Sequence, residues 1–211
     1  MVGLLALINL PGFIVVCGGT LCAAILSKSQ HKTVGLLKDI PSIVKSEQTL
    51  HVHMDFKQLL RLAYLFRSNQ KKLLEQELKP VGQVILKKGT QLILDRCDID
   101  DVQKILNKER TKLIQVDVEK AQMLRMMASY APAFGMLGTL LGMIHMLYGL
   151  GGSGFDEIGS TMGFALLTTL YGLVLANLVC QPLAIKVERQ VAHYNDHMNT
   201  LIEGVMMMSA K

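Results

Sequence analysis

The 22 lysine and arginine residues of this chain are confined to two blocks, Lys28 to Arg125 and Lys186 to Lys211. None occurs in the three long apolar stretches or in the glycine-rich connection between the second and third stretch. Because cytoplasmic loops of membrane proteins carry an excess of Lys and Arg, this distribution indicates both a membrane protein and its orientation. We expect residues 28–125 and the C-terminal tail inside, and the connection at 151–157 outside.

Three runs of residues without Asp, Glu, Lys or Arg cover positions 1–27, 126–155 and 158–185. Each exceeds the roughly 20 residues that an α-helix needs to cross a hydrocarbon core of about 30 Å. We therefore predict an all-α integral membrane protein with three transmembrane helices and a helical cytoplasmic domain between the first and the second. The predicted segments are transmembrane helices at 1–27, 128–150 and 158–182, a cytoplasmic domain at 28–127, an external turn at 151–157 and a cytoplasmic amphipathic helix at 183–211.

The first apolar run has no basic residue before it and no small-residue cleavage site after it. We expect it to remain in the membrane, since a removable signal peptide carries both features. The orientation rule then places Met1 outside and gives an odd number of spans, which is unusual without a signal that exports the N-terminus. We expect a further transmembrane helix to be missing ahead of this one.

The cytoplasmic block is basic, with 19 Lys and Arg against 12 Asp and Glu over residues 28–125. A basic surface beside anionic lipid accounts for this balance, and no basic patch interleaved with aromatic residues accompanies it. We predict membrane lipid and no nucleic acid among the partners. The segments around FKQLLRLAYLF have apolar residues at helical spacing, with Pro41 as a break between two helices.

A long amphipathic helix is predicted from Asp98, a cap-like residue, into the second span. Its apolar positions fall on one face, and the tail after the third span repeats this design. The helix is expected to bury Val102, Ile105, Leu106, Leu113, Val116, Leu124 and Met127, and the tail Val187, Val191, Tyr194, Met198, Leu201, Ile202 and Val205. We expect the two helices to pack on each other in the cytosol.

Small and hydroxyl residues recur in the second and third spans. Gly138 and Gly142 form a GxxxG pair, which is typical of close helix contact in lipid. Thr139 and Thr169 are predicted at similar depth on consecutive antiparallel helices, where their oxygens could replace part of a cation's hydration shell. A single threonine in a span more often hydrogen-bonds to its own helix, so the pair indicates an ion path better than either threonine alone.

The second and third spans carry no Asp, Glu, Lys or Arg. Moving a proton or a sodium ion through hydrocarbon normally requires an intramembrane carboxylate. If the chain conducts ions, the acid must therefore belong to another subunit. His145 is titratable, but a lone histidine on a helix is more often a structural residue.

Other kinds of site find no support in the residue spacing. His193 and His197 are four apart but lack the Glu of an HExxH motif, and the four cysteines have no ligand spacing. No catalytic triad or phosphate-binding glycine loop occurs. We predict no enzyme activity, no metal site and no cofactor other than a transported Na⁺ or H⁺.

The chain resembles the flagellar stator family of MotA and PomA, within a wider group that includes ExbB and TolQ. The resemblance rests on NLPGFIVVCGGT at 9–20, APAFGMLGTLLGMIHML at 131–147 and IGSTMGFALLTTLYGLVLANLVCQPLAIKVE at 158–188. It covers nearly the whole chain. The family's first membrane helix and its longer cytoplasmic tail are absent from it, which is expected of either a fragment or a natural short relative.

The resemblance implies roles for particular residues. Thr139 and Thr169 match threonines that line the ion path of sodium-driven stators, with Thr168 beside them, and Pro132 and Pro182 match two prolines near the membrane–cytosol hinges. Five charged residues fall in the region that contacts the rotor: Arg67, Lys71, Lys72, Glu75 and Glu77. Gln70 stands where the family often has glycine, and a plain solvated charge run remains an alternative for this region.

The leading hypothesis is an ion-conducting, torque-generating stator subunit in the bacterial inner membrane. The resemblance implies a homo-oligomer, a pentamer in the family, around a MotB/PomB-like single-span subunit that supplies the ion-binding Asp, and contact with a FliG-like rotor switch protein. Sodium is favoured over the proton as coupling ion. The alternatives are an ExbB/TolQ-like energiser of outer-membrane processes and a non-conducting membrane scaffold.

Overall fold

The computed structural model describes residues 9–27, 52–68, 70–149 and 155–209. Every regular element in these ranges is a helix. The elements are α1 (Leu10–Ser27), α2 (Val52–Arg67), α3 (Lys71–Leu78), α4 (Val84–Leu94), α5 (Ile99–Gly149), α6 (Phe155–Val174), a π-helical segment (Leu175–Cys180) and α7 (Gln181–Ser209). The prediction of a break at Pro41 lies outside the described residues.

Three stretches of helix are long and apolar enough to cross a membrane. They are Leu10–Ser27, Ile99–Gly149 and Ile158–Met208. The predicted all-α membrane fold with three spans is confirmed. Residues 151–154 of the predicted turn lie outside the described ranges, and residues 155–157 are helical because α6 begins at Phe155.

The chain divides into two compact units. Of the described residues, the membrane unit comprises 9–27, 119–149 and 155–187, and the helix-bundle unit comprises 52–68, 70–118 and 188–209. Helices α5 and α7 each contribute residues to both units.

In the membrane unit, α5 and α6 touch backbone to backbone. A Cβ built on Gly138 would lie 2.6 Å from both Cβ and Oγ1 of Thr168, and one built on Gly142 would lie 2.8 Å from Cβ of Ala165. A Cβ on Gly172 would lie 2.6 Å from the carbonyl oxygen of Ala131. Positions rise on one helix as they fall on the other, so the two spans are antiparallel and in contact through small residues, as the GxxxG pair predicts.

Helix α1 lies against α6 in the same unit. Its buried residues are Gly12, Val16, Thr20 and Ala24, a seam in steps of four. The Tyr171 hydroxyl accepts a 2.7 Å hydrogen bond from the backbone N–H of Asn9. The Phe13 and Tyr171 rings meet edge to face with centroids 5.8 Å apart. These contacts fix the start of α1 on the third span.

The helix-bundle unit is held by an aliphatic core. Glycines also let its helices approach closely, since a Cβ on Gly89 would lie 2.7 Å from a methyl group of Val205. The buried core consists of Leu59, Leu62, Leu74, Leu78, Val81, Ile85, Leu86, Ile93, Val102, Leu106, Met198, Leu201, Ile202 and Val205. The start of α5 and the end of α7 both supply core residues, which agrees with the predicted packing of these helices.

The predicted apolar face of α5 is too wide. Val102 and Leu106 are buried, but Ile105 and Val116 are exposed. At about 100° per residue, Ile105 and Val116 both fall on one edge of the predicted stripe. The opposite edge of the stripe is buried, as Leu106 and Leu124 show.

One buried polar cluster lies inside the helix-bundle unit. The Asp55 carboxylate is 2.8 Å from Nε2 of His197 and accepts a 3.0 Å hydrogen bond from the Gln83 amide. The Phe56 ring packs edge to face on His197, with centroids 5.9 Å apart. Burial, together with the charges of Asp55 and Asp117, raises the pKa of the neighbouring Tyr194 phenol. The cluster ties α2 to α7 and to the residues ahead of α4.

A surface ion pair joins α4 and α5. Lys88 Nζ lies 2.8 Å from a Glu109 carboxylate oxygen. The hydrogen bond from Lys88 is the main reason that the pKa of Glu109 is below its usual value. The depressed carboxyl pKa makes this contribution to stability present at neutral pH and lost as the pH falls through the folded-state pKa.

Gly138→Ala is expected to destabilise the membrane unit, because the new methyl group would overlap Thr168. Overpacking of this kind costs about 1 to 3 kcal/mol. Gly159→Ala is the matched control, because a Cβ there meets no atom within 4 Å. Thermal unfolding of the two variants in detergent should show a lower midpoint for Gly138→Ala alone; equal midpoints would contradict the close contact.

His197→Leu is expected to destabilise the helix-bundle unit, since it leaves the Asp55 carboxylate with only the Gln83 amide. The loss of a partner from a buried polar group costs about 1 to 3 kcal/mol. His193→Leu is the control, since His193 is exposed one helical turn earlier. Proteolysis of the intact protein over a temperature series should detect earlier cleavage in His197→Leu than in His193→Leu.

Candidate functional site

Thr168 is enclosed by three helices of the membrane unit. Its side chain is fully buried. The hydroxyl donates a 2.7 Å hydrogen bond to the carbonyl of Ala165 and lies 3.3 Å from the carbonyl of Gly135 on α5. Its methyl group would lie 3.0 Å from a Cβ on Gly12 of α1. Thr168 is therefore a packing residue at the junction of α1, α5 and α6.

Thr169 and Thr139 are less enclosed than Thr168. The Thr169 hydroxyl lies 3.5 Å from the same Gly135 carbonyl, a long and weak contact. The Thr139 hydroxyl donates a 2.6 Å hydrogen bond to the carbonyl of Met136 in its own helix. Both side chains are partly exposed and keep lone pairs that no contact within the described helices uses.

The antiparallel register of α5 and α6 gives the relative depth of Thr139 and Thr169. A Cβ on Gly135, one turn before Thr139, would lie 3.2 Å from Cα of Thr169. The level of Thr169 is therefore that of Gly135, and Thr139 lies about one helical turn, or about 6 Å, further along α5. The sequence predicted this pair, whereas the enclosure of Thr168 follows from the packing of α1 and α5 against α6.

Acidic and basic side chains are absent from the sequence of this region, between Met126 and Phe155 and between Ile158 and Ile185. His145 is exposed on α5. The oxygen atoms that this part of the chain offers to an ion are therefore neutral hydroxyl, amide and carbonyl groups. They can replace hydration water but cannot neutralise a charge.

Pro132 and Pro182 both lie within helices. Pro132 is inside α5, and Pro182 follows the π-helical segment at the start of α7. Proline has no backbone N–H, so each interrupts the hydrogen-bond ladder of its helix. The predicted hinge role stays a prediction. The π-helical segment was not predicted from sequence, since nothing in hydropathy distinguishes it from α-helix.

The charged residues predicted to contact a rotor lie around the connection between α2 and α3. Arg67, Lys72 and Glu75 are exposed, and the Lys71 side chain lies outside the described residues. Glu77 is already engaged, with an oxygen 2.6 Å from Arg61 Nη2. Gln70 has φ −89° and ψ 66°, a conformation that requires no glycine. The departure from the family pattern at Gln70 therefore has no steric consequence.

The two histidines at metal-ligand spacing do not form a site. His193 is exposed, while His197 is buried against Asp55. Across the described ranges, no three His, Cys, Asp or Glu side chains are grouped so as to hold a metal ion.

The helices and the threonine pair together define a class: a multi-span helical membrane protein with a neutral, oxygen-bearing contact between two uncharged spans. Comparison with known proteins narrows this class. Residues 77–200 match the model of the MotA/TolQ/ExbB proton channel family. The chain therefore belongs to that family.

The similar relatives point to one branch of the family. The chain is 30% identical over 207 residues to an uncharacterised protein, YtxD, of Bacillus subtilis, covering 97% of this chain and 74% of the relative. It is 27% identical over 202 residues to motility protein A of Treponema phagedenis, covering 96% and 77%. The MotAB structure of C. jejuni has the same fold, with a TM-score of 0.85 at 17% identity over 98% of this chain and 80% of that one.

Thr168→Val is expected to destabilise the membrane unit slightly, because it keeps the side-chain shape and removes the hydroxyl. The loss of one such hydrogen bond within a membrane costs about 0.6 kcal/mol on average. Thr168→Ala should cost more, since it also removes the methyl group that packs near Gly12. Thermal unfolding in detergent tests this order; a larger effect of Thr168→Val would contradict a packing role.

Proposed function

We propose that the chain is the ion-conducting, torque-generating subunit of a bacterial flagellar stator. The observation that carries this proposal is the proximity of Thr139 and Thr169, about one helical turn apart along the contact between two carboxylate-free spans. Membership of the proton channel family and the similarity to motility protein A support it. Inward flow of Na⁺ or H⁺ through the bacterial inner membrane is the energy source, with sodium favoured by the threonine pair.

The ion-binding acid comes from a second protein in this proposal. The second and third spans offer only neutral oxygen atoms, so a MotB/PomB-like single-span subunit supplies the aspartate. Several copies of this chain, five as in the family, surround that subunit. The exposed apolar side chains of α5 and α6, such as Leu140, Leu147 and Leu166, are available to contact lipid, neighbouring copies or the partner.

Force leaves the protein through the α2–α3 connection. Arg67 and Glu75 are exposed there and carry opposite charges, which suits complementary contact with a FliG-like switch protein. Glu77 is paired with Arg61, and its predicted contact with the rotor stays a prediction. Each elementary charge that crosses 100 mV releases about 2.3 kcal/mol for this work.

Two other functions fit fewer of these features. An ExbB/TolQ-like energiser belongs to the same family, but the relatives named as motility protein A favour the stator. A non-conducting scaffold accounts for the small-residue contacts of Gly138 and Gly142. It does not account for oxygen-bearing side chains that remain partly exposed beside them.

Thr169→Val is expected to reduce ion flux strongly without unfolding the protein, because it removes a cation-facing oxygen and keeps the side-chain shape. Flux is measured in vesicles that contain the full-length chain and its partner subunit, with either a sodium or a proton gradient. Thr20→Val is the matched control, since the Thr20 hydroxyl is bonded to Val16 of its own helix.

The two gradients separate the possibilities in that experiment. Flux under a sodium gradient alone supports the sodium stator, whereas flux under a proton gradient alone makes the proton the coupling ion. Unchanged flux in Thr169→Val would remove the threonine from the path. Absence of flux in the unmodified complex would support the scaffold.

A further inference from the structure

The π-helical segment Leu175–Cys180 interrupts the third span. The backbone N–H of Gln181 donates to the carbonyl of Ala176, five residues earlier. Val174 and Gln181 on either side have ordinary α-helical dihedral angles. One extra residue is therefore accommodated inside an otherwise regular helix, an arrangement often found at functional sites.

The next residue, Pro182, changes the hydrogen bonding of this segment. In an α-helix the carbonyl of Asn177 would accept from Gln181, but that N–H is bonded to Ala176. In a π-helix it would accept from residue 182, which is a proline without an N–H. The Asn177 carbonyl therefore has neither its α-helical nor its π-helical donor.

The extra residue also keeps one side of the helix aligned. Thr168, Gly172, Ala176, Cys180 and Ala184 are all buried, in steps of four. In a continuous α-helix each step of four drifts by about 40°, or about 160° over these sixteen residues. One inserted residue removes about 100° of that drift. The π-helical segment is the reason that a single buried seam persists through the third span.

The residues that follow this seam by one position form a second aligned row. They are Thr169, Leu173, Asn177 and Gln181, and we call its three polar members, Thr169, Asn177 and Gln181, the polar stripe. Asn177 and Gln181 are exposed, and the Asn177 amide makes no hydrogen bond within the part of the chain that the structure describes. A polar residue inside a span is costly and is retained where it functions.

We propose that Asn177 is a second station for the transported cation, between the threonines and the cytosol. This inference rests on the proposed function. The ligands are the Asn177 side-chain oxygen and its main-chain carbonyl, with Gln181 one turn further on. Oxygen atoms of amides and of interrupted helix backbone suit a partly hydrated monovalent cation, Na⁺ or hydronium. The station lies about 12 Å along the helix from Thr169, eight residues at 1.5 Å each.

The neutral chemistry of the station suits its position. A carboxylate there would hold the cation and slow its release, whereas neutral oxygen atoms bind weakly enough to pass it on. The polar stripe leads from the threonine level towards Lys186 and the C-terminal helix, the side that the Lys and Arg distribution places in the cytosol. The π-helical segment thus aligns Asn177 with Thr169 and leaves the Asn177 carbonyl without a helical donor.

The test compares Asn177→Leu, Asn177→Gln and Val179→Leu in vesicles that contain the full-length chain and its partner subunit. Asn177→Leu removes the side-chain oxygen, and we expect it to raise the half-saturating sodium concentration about tenfold or more. Asn177→Gln retains an amide oxygen and should recover part of the loss. Val179→Leu changes an exposed apolar residue of the same segment and should stay near the unmodified value.

The outcomes distinguish this inference from the function on which it rests. If Thr169→Val abolishes flux and Asn177→Leu leaves its concentration dependence unchanged, the second station is wrong and the stator function stands. If Asn177→Leu instead reduces the number of chains that copurify, the residue holds subunits together and the station is wrong. Flux with a proton gradient alone, lowered by Asn177→Leu, identifies hydronium as the cation. Absence of flux in the unmodified complex overturns both proposals.

Discussion

Close backbone approach between α5 and α6 is the constraint on which the membrane unit depends. Lipid tails are as apolar as the side chains of a span, so burial alone gives two helices little reason to associate. Glycines at 135, 138, 142 and 172 replace that missing force with van der Waals contact, and the Thr168 hydroxyl adds a polar link to the Gly135 carbonyl. The level of Thr139 and Thr169 is set by this contact. The proposed stator function therefore depends on glycines, because a residue without a side chain permits this close contact.

The helix-bundle unit solves a different problem with different residues. It has water outside, so aliphatic burial drives its folding and polar groups supply specificity. Asp55, His197 and Gln83 are joined inside it, where an unpaired member would be costly. Arg67 and Glu75 are exposed and belong neither to the core nor to this polar cluster. In the proposed function, the membrane unit conducts the ion and the helix-bundle unit makes the charge contacts with a partner.

Much of this architecture could be predicted from the order of residues. Hydropathy runs and the Lys and Arg distribution predicted three spans, helical periodicity predicted the packing of α5 on α7, and the GxxxG pair predicted the close contact. The misses have physical causes. Ile105 and Val116 are apolar but lie on the edge of the stripe that the core does not cover. The enclosure of Thr168 depends on α1, 156 positions away from it at Gly12. The π-helical segment arises from hydrogen-bond register, which no local composition reports.

The π-helical segment also has a consequence for how this chain can change over generations. Its extra residue determines which side of the helix each later residue faces, from Cys180 onwards into α7. A one-residue deletion within Leu175–Cys180 would make the helix more regular but would destabilise the protein, because Ala184 would turn out of the buried seam. A substitution in the third span changes one side chain and keeps the helical phase. An insertion or deletion between Thr168 and Ala184 changes the phase of all the residues after it, so the length of this segment is fixed by geometry.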